Sequence, residues 1–145
     1  MAPVKALVIW ESLTGTTHKA AERIAGGLRA KGVDATVSPA TRVDLAALSA
    51  ADLVIVGSWT DGIVFVGQRP GRATRLWNLP YMTGKRAFVY CTYAVDAGHA
   101  VDKLADIVRD RGADVIGGQK VHRFHLERDC DAVVAQVLEG ADLTR

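Results

Sequence analysis

The chain has 145 residues, 49% of them apolar, and its 18 basic and 16 acidic residues leave a net charge of +2. That length suits one ordinary domain with its own core, residues 1–145, and so balanced a charge gives no sign of a nucleic-acid partner. No apolar run reaches the ~20 residues of a membrane helix, Lys5 interrupts any signal peptide, and two cysteines are too few for a disulfide scaffold, so a cytoplasmic protein is expected.

The first apolar, β-branched run is Val4–Trp10, read as a strand. Ser12-Leu13-Thr14-Gly15-Thr16-Thr17 follows it directly. A helix then begins near Thr17, with Ala20, Ala21, Ile24, Ala25 and Leu28 on one face and Lys19, Glu22, Arg23 and Arg29 on the other. Gly32 ends it. A second strand covers Asp34–Ser38, a short helix lies near Asp44–Leu48, and a third strand covers Leu53–Ser58. Another short helix is expected near Gly71–Leu79, then a strand at Ala87–Thr92. The helix after it buries Val101, Leu104, Ala105 and Val108 and ends at Gly112. A fifth strand, Asp114–Gly117, and a last helix using Val133, Val134, Val137 and Leu138 complete the chain.

Strands alternating with helices imply a βα repeat and a doubly wound sheet with helices on both faces. Continuous apolar strands suit a parallel sheet covered on both sides. Two strand orders are common in such sheets, and in both the ligand lies beyond the carboxyl ends of the strands. The loops 11–17, 59–67 and 93–98 would share that edge. The first of them brings hydroxyls and a glycine to a helix N-terminus. Backbone N–H groups and the helix dipole favour an anion there, so it reads as a phosphate site with uncharged donors. Helix capping by Thr14 or Thr16 is the plainer alternative.

These residues resemble the flavodoxin family. Ser12, Thr14, Gly15 and Thr17 fill the family's first-loop pattern [ST]-x-T-G-x-T in order. A strand ending in Gly57-Ser58 with Trp59 next, the segment Gly84–Tyr90 and the segment Arg111–Gly117 match its later strands. The resemblance implies a three-layer flavodoxin-like α/β fold with five parallel strands in the order 2-1-3-4-5 and FMN at the carboxyl edge. It assigns the phosphate to Ser12, Leu13, Thr14, Gly15, Thr16 and Thr17. It assigns the ring to Ser58, Trp59, Thr60, Asp61 and Gly62 in the second loop, and to Cys91, Thr92, Tyr93, Ala94 and Gly98 around the third. Trp59 and Tyr93 are the candidate stacking platforms. A neutral phosphate cradle leaves the flavin potential low, and Asp61 and Asp96 stand where a carboxylate would disfavour an anionic reduced flavin.

The implied function is electron transfer, as a low-potential carrier or a small flavin-dependent reductase, served by a redox partner protein or a small-molecule acceptor. Two alternatives stay open: an oxidoreductase acting directly on a quinone or porphyrinogen, and a flavodoxin-like binding domain without redox chemistry. The apolar stretch Ile63–Val66 suits a substrate pocket, a lid or a homodimer contact, and the basic residues Arg69, Arg72, Arg75, Lys85 and Arg86 argue against an acidic docking face. No catalytic base or nucleophile stands out. His122 and His125 lack further ligands, so no metal is expected, and Cys91, Cys130, Trp10 and Trp77 read as packing residues.

Overall fold

The computed structural model describes residues 4–11, 15–61, 69–70, 78–95 and 97–141. In chain order these form β1 (Lys5–Trp10), α1 (Thr16–Ala30), β2 (Asp34–Pro39), a 3₁₀ turn (Ala40–Arg42), α2 (Leu45–Ala50), β3 (Leu53–Asp61), β4 (Arg69–Pro70), β5 (Arg86–Tyr93), α3 (Ala100–Asp110), β6 (Asp114–His122) and α4 (Leu126–Gly140). Five strands pair in parallel in the order β2-β1-β3-β5-β6. The two-residue β4 sits apart, antiparallel to the end of β3. With it set aside, the order is the expected 2-1-3-4-5.

Alternation along each strand divides the core in two. Ala6, Val8, Ile55, Phe88 and Tyr90 face the layer made by α1 and α4. Leu7, Ile9, Val54, Val56 and Val89 face the other layer, made by α2, α3, Leu79 and Met82. Both faces are therefore dry, which explains why the strands read as unbroken apolar runs.

Sequence periodicity finds these elements but cuts several short. The third strand extends past Ser58 to Asp61, so Trp59, Thr60 and Asp61 belong to a strand and not to a free loop. Its extension is held by pairing of Trp59 with Thr92 on β5 and of Thr60 and Asp61 with β4. The last strand runs to His122 instead of Gly117, because β5 offers partners as far as Tyr93. Ile116 is bulged out between the Ala87–Val115 and Phe88–Gly117 pairs. Asp44 caps α2, accepting a 3.0 Å hydrogen bond from the Ala47 N–H, rather than starting it. The expected helix near Gly71–Leu79 lies outside the described residues up to 77, and Asn78 is in a turn.

Gly57 is required by its neighbour across the sheet. A Cβ there would lie 2.0 Å from Cζ of Tyr90, the residue it pairs with on β5. Tyr90 is fully buried, so its ring has nowhere to move. Gly57→Ala is expected to destabilise the fold by ~1–3 kcal/mol, as overpacked cores do. A urea midpoint unchanged from the parent would contradict this close approach.

Candidate functional site

The carboxyl ends of β1, β3 and β5 lie side by side, and α1 starts beside them. Gly15 stands at the N-cap of α1 in the left-handed region, φ 92° and ψ −9°, a conformation that glycine adopts without steric cost. Thr16 is already helical, so it does not cap, and no acidic residue lies in the first turn to offset the positive end of the dipole. Ser12, Leu13 and Thr14 lie outside the described residues.

Thr17 is buried completely. Its hydroxyl lies 2.9 Å from the Thr92 hydroxyl on β5, and its carbonyl accepts a 2.9 Å hydrogen bond from the Tyr90 phenol. Burial first, with Cys130 and Cys91 behind it, raises the Tyr90 pKa well above its ordinary value, so this donor stays protonated. The Thr17 side chain thus ties α1 to the sheet instead of facing outward with Thr16.

A cavity of about 200 Å³ opens at this edge, with Thr16, Trp59, Thr60, Thr92, Tyr93, Ala94 and Arg123 among its walls. That is below the ~300–1,000 Å³ of pockets enclosing a whole small molecule, so it suits one flat ring with the rest of the ligand outside. Trp59 and Tyr93 supply aromatic surface. The indole Nε1 of Trp59 and the hydroxyl of Thr60 are buried and have no hydrogen-bond partner among the described residues. Two orphaned polar atoms beside aromatic walls fit a ligand that is flat and carries acceptors on its edge, as a flavin does.

The other expected residues divide plainly. Ser58 is fully buried and donates to the Trp59 carbonyl at 3.2 Å. Cys91 points into the opposite core layer, where burial raises its thiol pKa far above the ordinary value. Gly98 lies in an exposed turn before α3, apart from the cavity walls. The side chain of Asp61, all of Gly62 and Asp96, and the stretches 63–66 and 71–77 lie outside the described residues. Trp10, expected as packing, stacks on His18 with centroids 4.1 Å apart, and Cys130 packs between α4 and α1, its thiol 3.8 Å from the Ala20 carbonyl.

Arg123 is the residue the sequence reading missed. It follows β6, and its N–H donates to the Tyr93 carbonyl at 2.9 Å, which brings it to the cavity. The available signal was strand length: a fifth strand matching its neighbour ends near His122. Next to it, His122 meets the Tyr93 ring edge-on at 4.9 Å and lies 4.9 Å from the His125 ring. Among the described residues, no group of three or more His, Cys, Asp or Glu is placed to hold a metal ion.

A family model, Flavodoxin, matches residues 8–144. The chain belongs to the flavodoxin family. FMN is the cofactor that membership brings, and electron transfer between redox partners is the work. Among solved structures, oxidised flavodoxin 1 from Bacillus cereus is similar at 26% identity and a TM-score of 0.68, covering 93% of this chain and 97% of that one. A cysteine-to-serine mutant of flavodoxin from Pseudomonas aeruginosa has the same fold at 17% identity and a TM-score of 0.73, covering 96% and 99%. The rubredoxin oxygen:oxidoreductase of Desulfovibrio gigas also contains the fold, at 20% identity and a TM-score of 0.62, covering 93% of this chain but 37% of that one. No curated protein matches the flavodoxin chain by sequence. Among the described residues, no helix is long and apolar enough to cross a membrane.

Asp129 locks the β6–α4 corner that carries Arg123. Its carboxylate accepts a 2.8 Å hydrogen bond from the His122 N–H and a 3.1 Å bond from Arg128 Nε. Burial opposes ionisation, but the His122 bond, Arg128 and His125 outweigh it and hold the pKa below the ordinary 3.8. A carboxylate depressed on folding stabilises above its unfolded pKa, and that contribution is lost as pH falls through the folded value. Asp129→Asn is therefore expected to lose ~1–2 kcal/mol at pH 7. The gap should close below the ordinary 3.8 in urea unfolding followed from neutral to acid pH.

Proposed function

We propose that this flavodoxin is a carrier that receives and passes electrons between redox proteins, rather than an enzyme turning over a small molecule. In this reading the FMN ring lies against Trp59 and Tyr93, and its phosphate is assigned to the segment 12–17 at the start of α1. The orphaned Trp59 Nε1 and Thr60 hydroxyl, buried at the cavity wall with nothing to bond, carry this reading. When bound, FMN supplies the capacity to take up one or two electrons. The protein's part is to hold it: Trp59 and Tyr93 cover apolar ring surface, Trp59 Nε1 and Thr60 donate to polar atoms, and the N-terminus of α1 faces an anion. The phosphate is assigned to Ser12, Leu13, Thr14, Gly15 and Thr16, while Thr17 acts on it by fixing α1 to the sheet.

A site that needs no general base fits a carrier, because the chemistry belongs to the cofactor. The direct oxidoreductase reading draws on Ile63–Val66 and on the basic residues Arg69, Arg72, Arg75, Lys85 and Arg86; residues 63–66, Arg72 and Arg75 lie outside the described residues, while Lys85 donates to the Ala51 carbonyl at 2.8 Å and Arg86 to the Ala141 carbonyl at 3.0 Å, away from the cavity walls. We also assign the protein to the cytoplasm, in keeping with Cys91 and Cys130 as unpaired thiols.

Two experiments test the proposal. In fluorescence titrations Trp59→Phe should weaken FMN binding about fivefold through the lost donor, and Trp59→Ala by ~2–3 kcal/mol with the platform gone as well. Parental affinity in both variants would remove the ring from this cavity. In steady-state assays the FMN-loaded protein should turn over little quinone with NAD(P)H alone and be reduced quickly once a flavodoxin reductase is added. Rapid turnover without the reductase would make it an enzyme instead.

A further inference from the structure

We infer that Arg123 tunes the flavin, binding the reduced cofactor more tightly than the oxidised one and so raising its reduction potential. This rests on the reading that places the FMN ring in the cavity beside Trp59 and Tyr93.

Among the described residues lining that cavity, Arg123 alone carries a charge. Its backbone is fixed to the cavity by the 2.9 Å bond from its N–H to the Tyr93 carbonyl. Its guanidinium lies 5.3 Å from the Phe124 ring centroid, a cation–π contact that limits where it swings. The nearby carboxylate of Asp129 is occupied by Arg128 and the His122 N–H. The corner that bears Arg123 is therefore braced from both sides, by Tyr93 on β5 and by Asp129 on α4.

The consequence follows from charge. Two electrons and one proton, delivered by a protein reductant, turn the neutral oxidised ring into a reduced ring with one negative charge. A cation at the ring's cavity interacts with that charge and has little to attract in the oxidised state. Even at the high effective dielectric of an exposed side chain, such a pair favours the reduced state severalfold. A cation on the phosphate behaves differently, because the phosphate is anionic in both redox states.

The test compares dissociation constants of oxidised FMN and of FMN kept reduced by dithionite, for the parent, Arg123→Gln and Arg123→Lys. In Arg123→Gln the ratio of reduced to oxidised constants should rise about five- to tenfold. A tenfold change corresponds to a potential lower by about 30 mV for the two-electron couple. Arg123→Lys should keep the parental ratio, and salt should diminish the difference between parent and Arg123→Gln, because Arg123 is exposed. An unchanged ratio in Arg123→Gln overturns the inference. So does equal weakening of both states with riboflavin binding untouched, which would assign Arg123 to the phosphate. If the parent binds FMN but Trp59→Ala binds it equally well, the ring reading fails first, and that outcome is distinct from either result at Arg123.

Discussion

One knot of hydrogen bonds holds the site together. The Tyr90 phenol reaches across the sheet to the Thr17 carbonyl, and the Thr17 hydroxyl meets Thr92. Residues more than seventy positions apart thereby fix the first turn of α1 against the interior strand β5. All three polar groups are buried, so breaking any one leaves a partner unsatisfied in a dry interior. Tyr90 reaches this position only because Gly57 presents no side chain beneath its ring. The start of α1 and the cavity are consequently set by the same few atoms, since Thr92 is both a partner of Thr17 and a wall of the cavity.

That knot also marks the limit of what the sequence reveals. The Ser12–Thr17 pattern and the five apolar runs are local signals, and they specify the fold and point to the carboxyl edge of the sheet. The outward role read for the Thr17 hydroxyl is a local inference as well, and in the fold that hydroxyl turns inward. Its partner Thr92 is distant in sequence, and no periodicity encodes the pairing. Arg123 escaped for a related reason. Gly117 and Gly118 look like the end of a strand, yet they serve close packing: a Cβ at Gly118 would sit 2.6 Å from Val101, and one at Gly117 would sit 3.0 Å from Phe88. Glycine read as punctuation is here glycine read as space.

The electrostatics combine two opposite tendencies. The described part of the first loop presents a helix N-terminus, Gly15 and Thr16, with no cation in that stretch. Positive charge enters instead from the far edge of the sheet, on the corner between β6 and α4.

The two thiols have a bearing on durability. Reduced flavins give up electrons to dioxygen and generate peroxide, which attacks thiolates and spares thiols. Cys91 is sealed in the core with its thiol pKa driven far upward, and burial pushes that of Cys130 up to about 12. Both sulfurs are buried and held as thiols, so neither offers the exposed thiolate that peroxide attacks most readily.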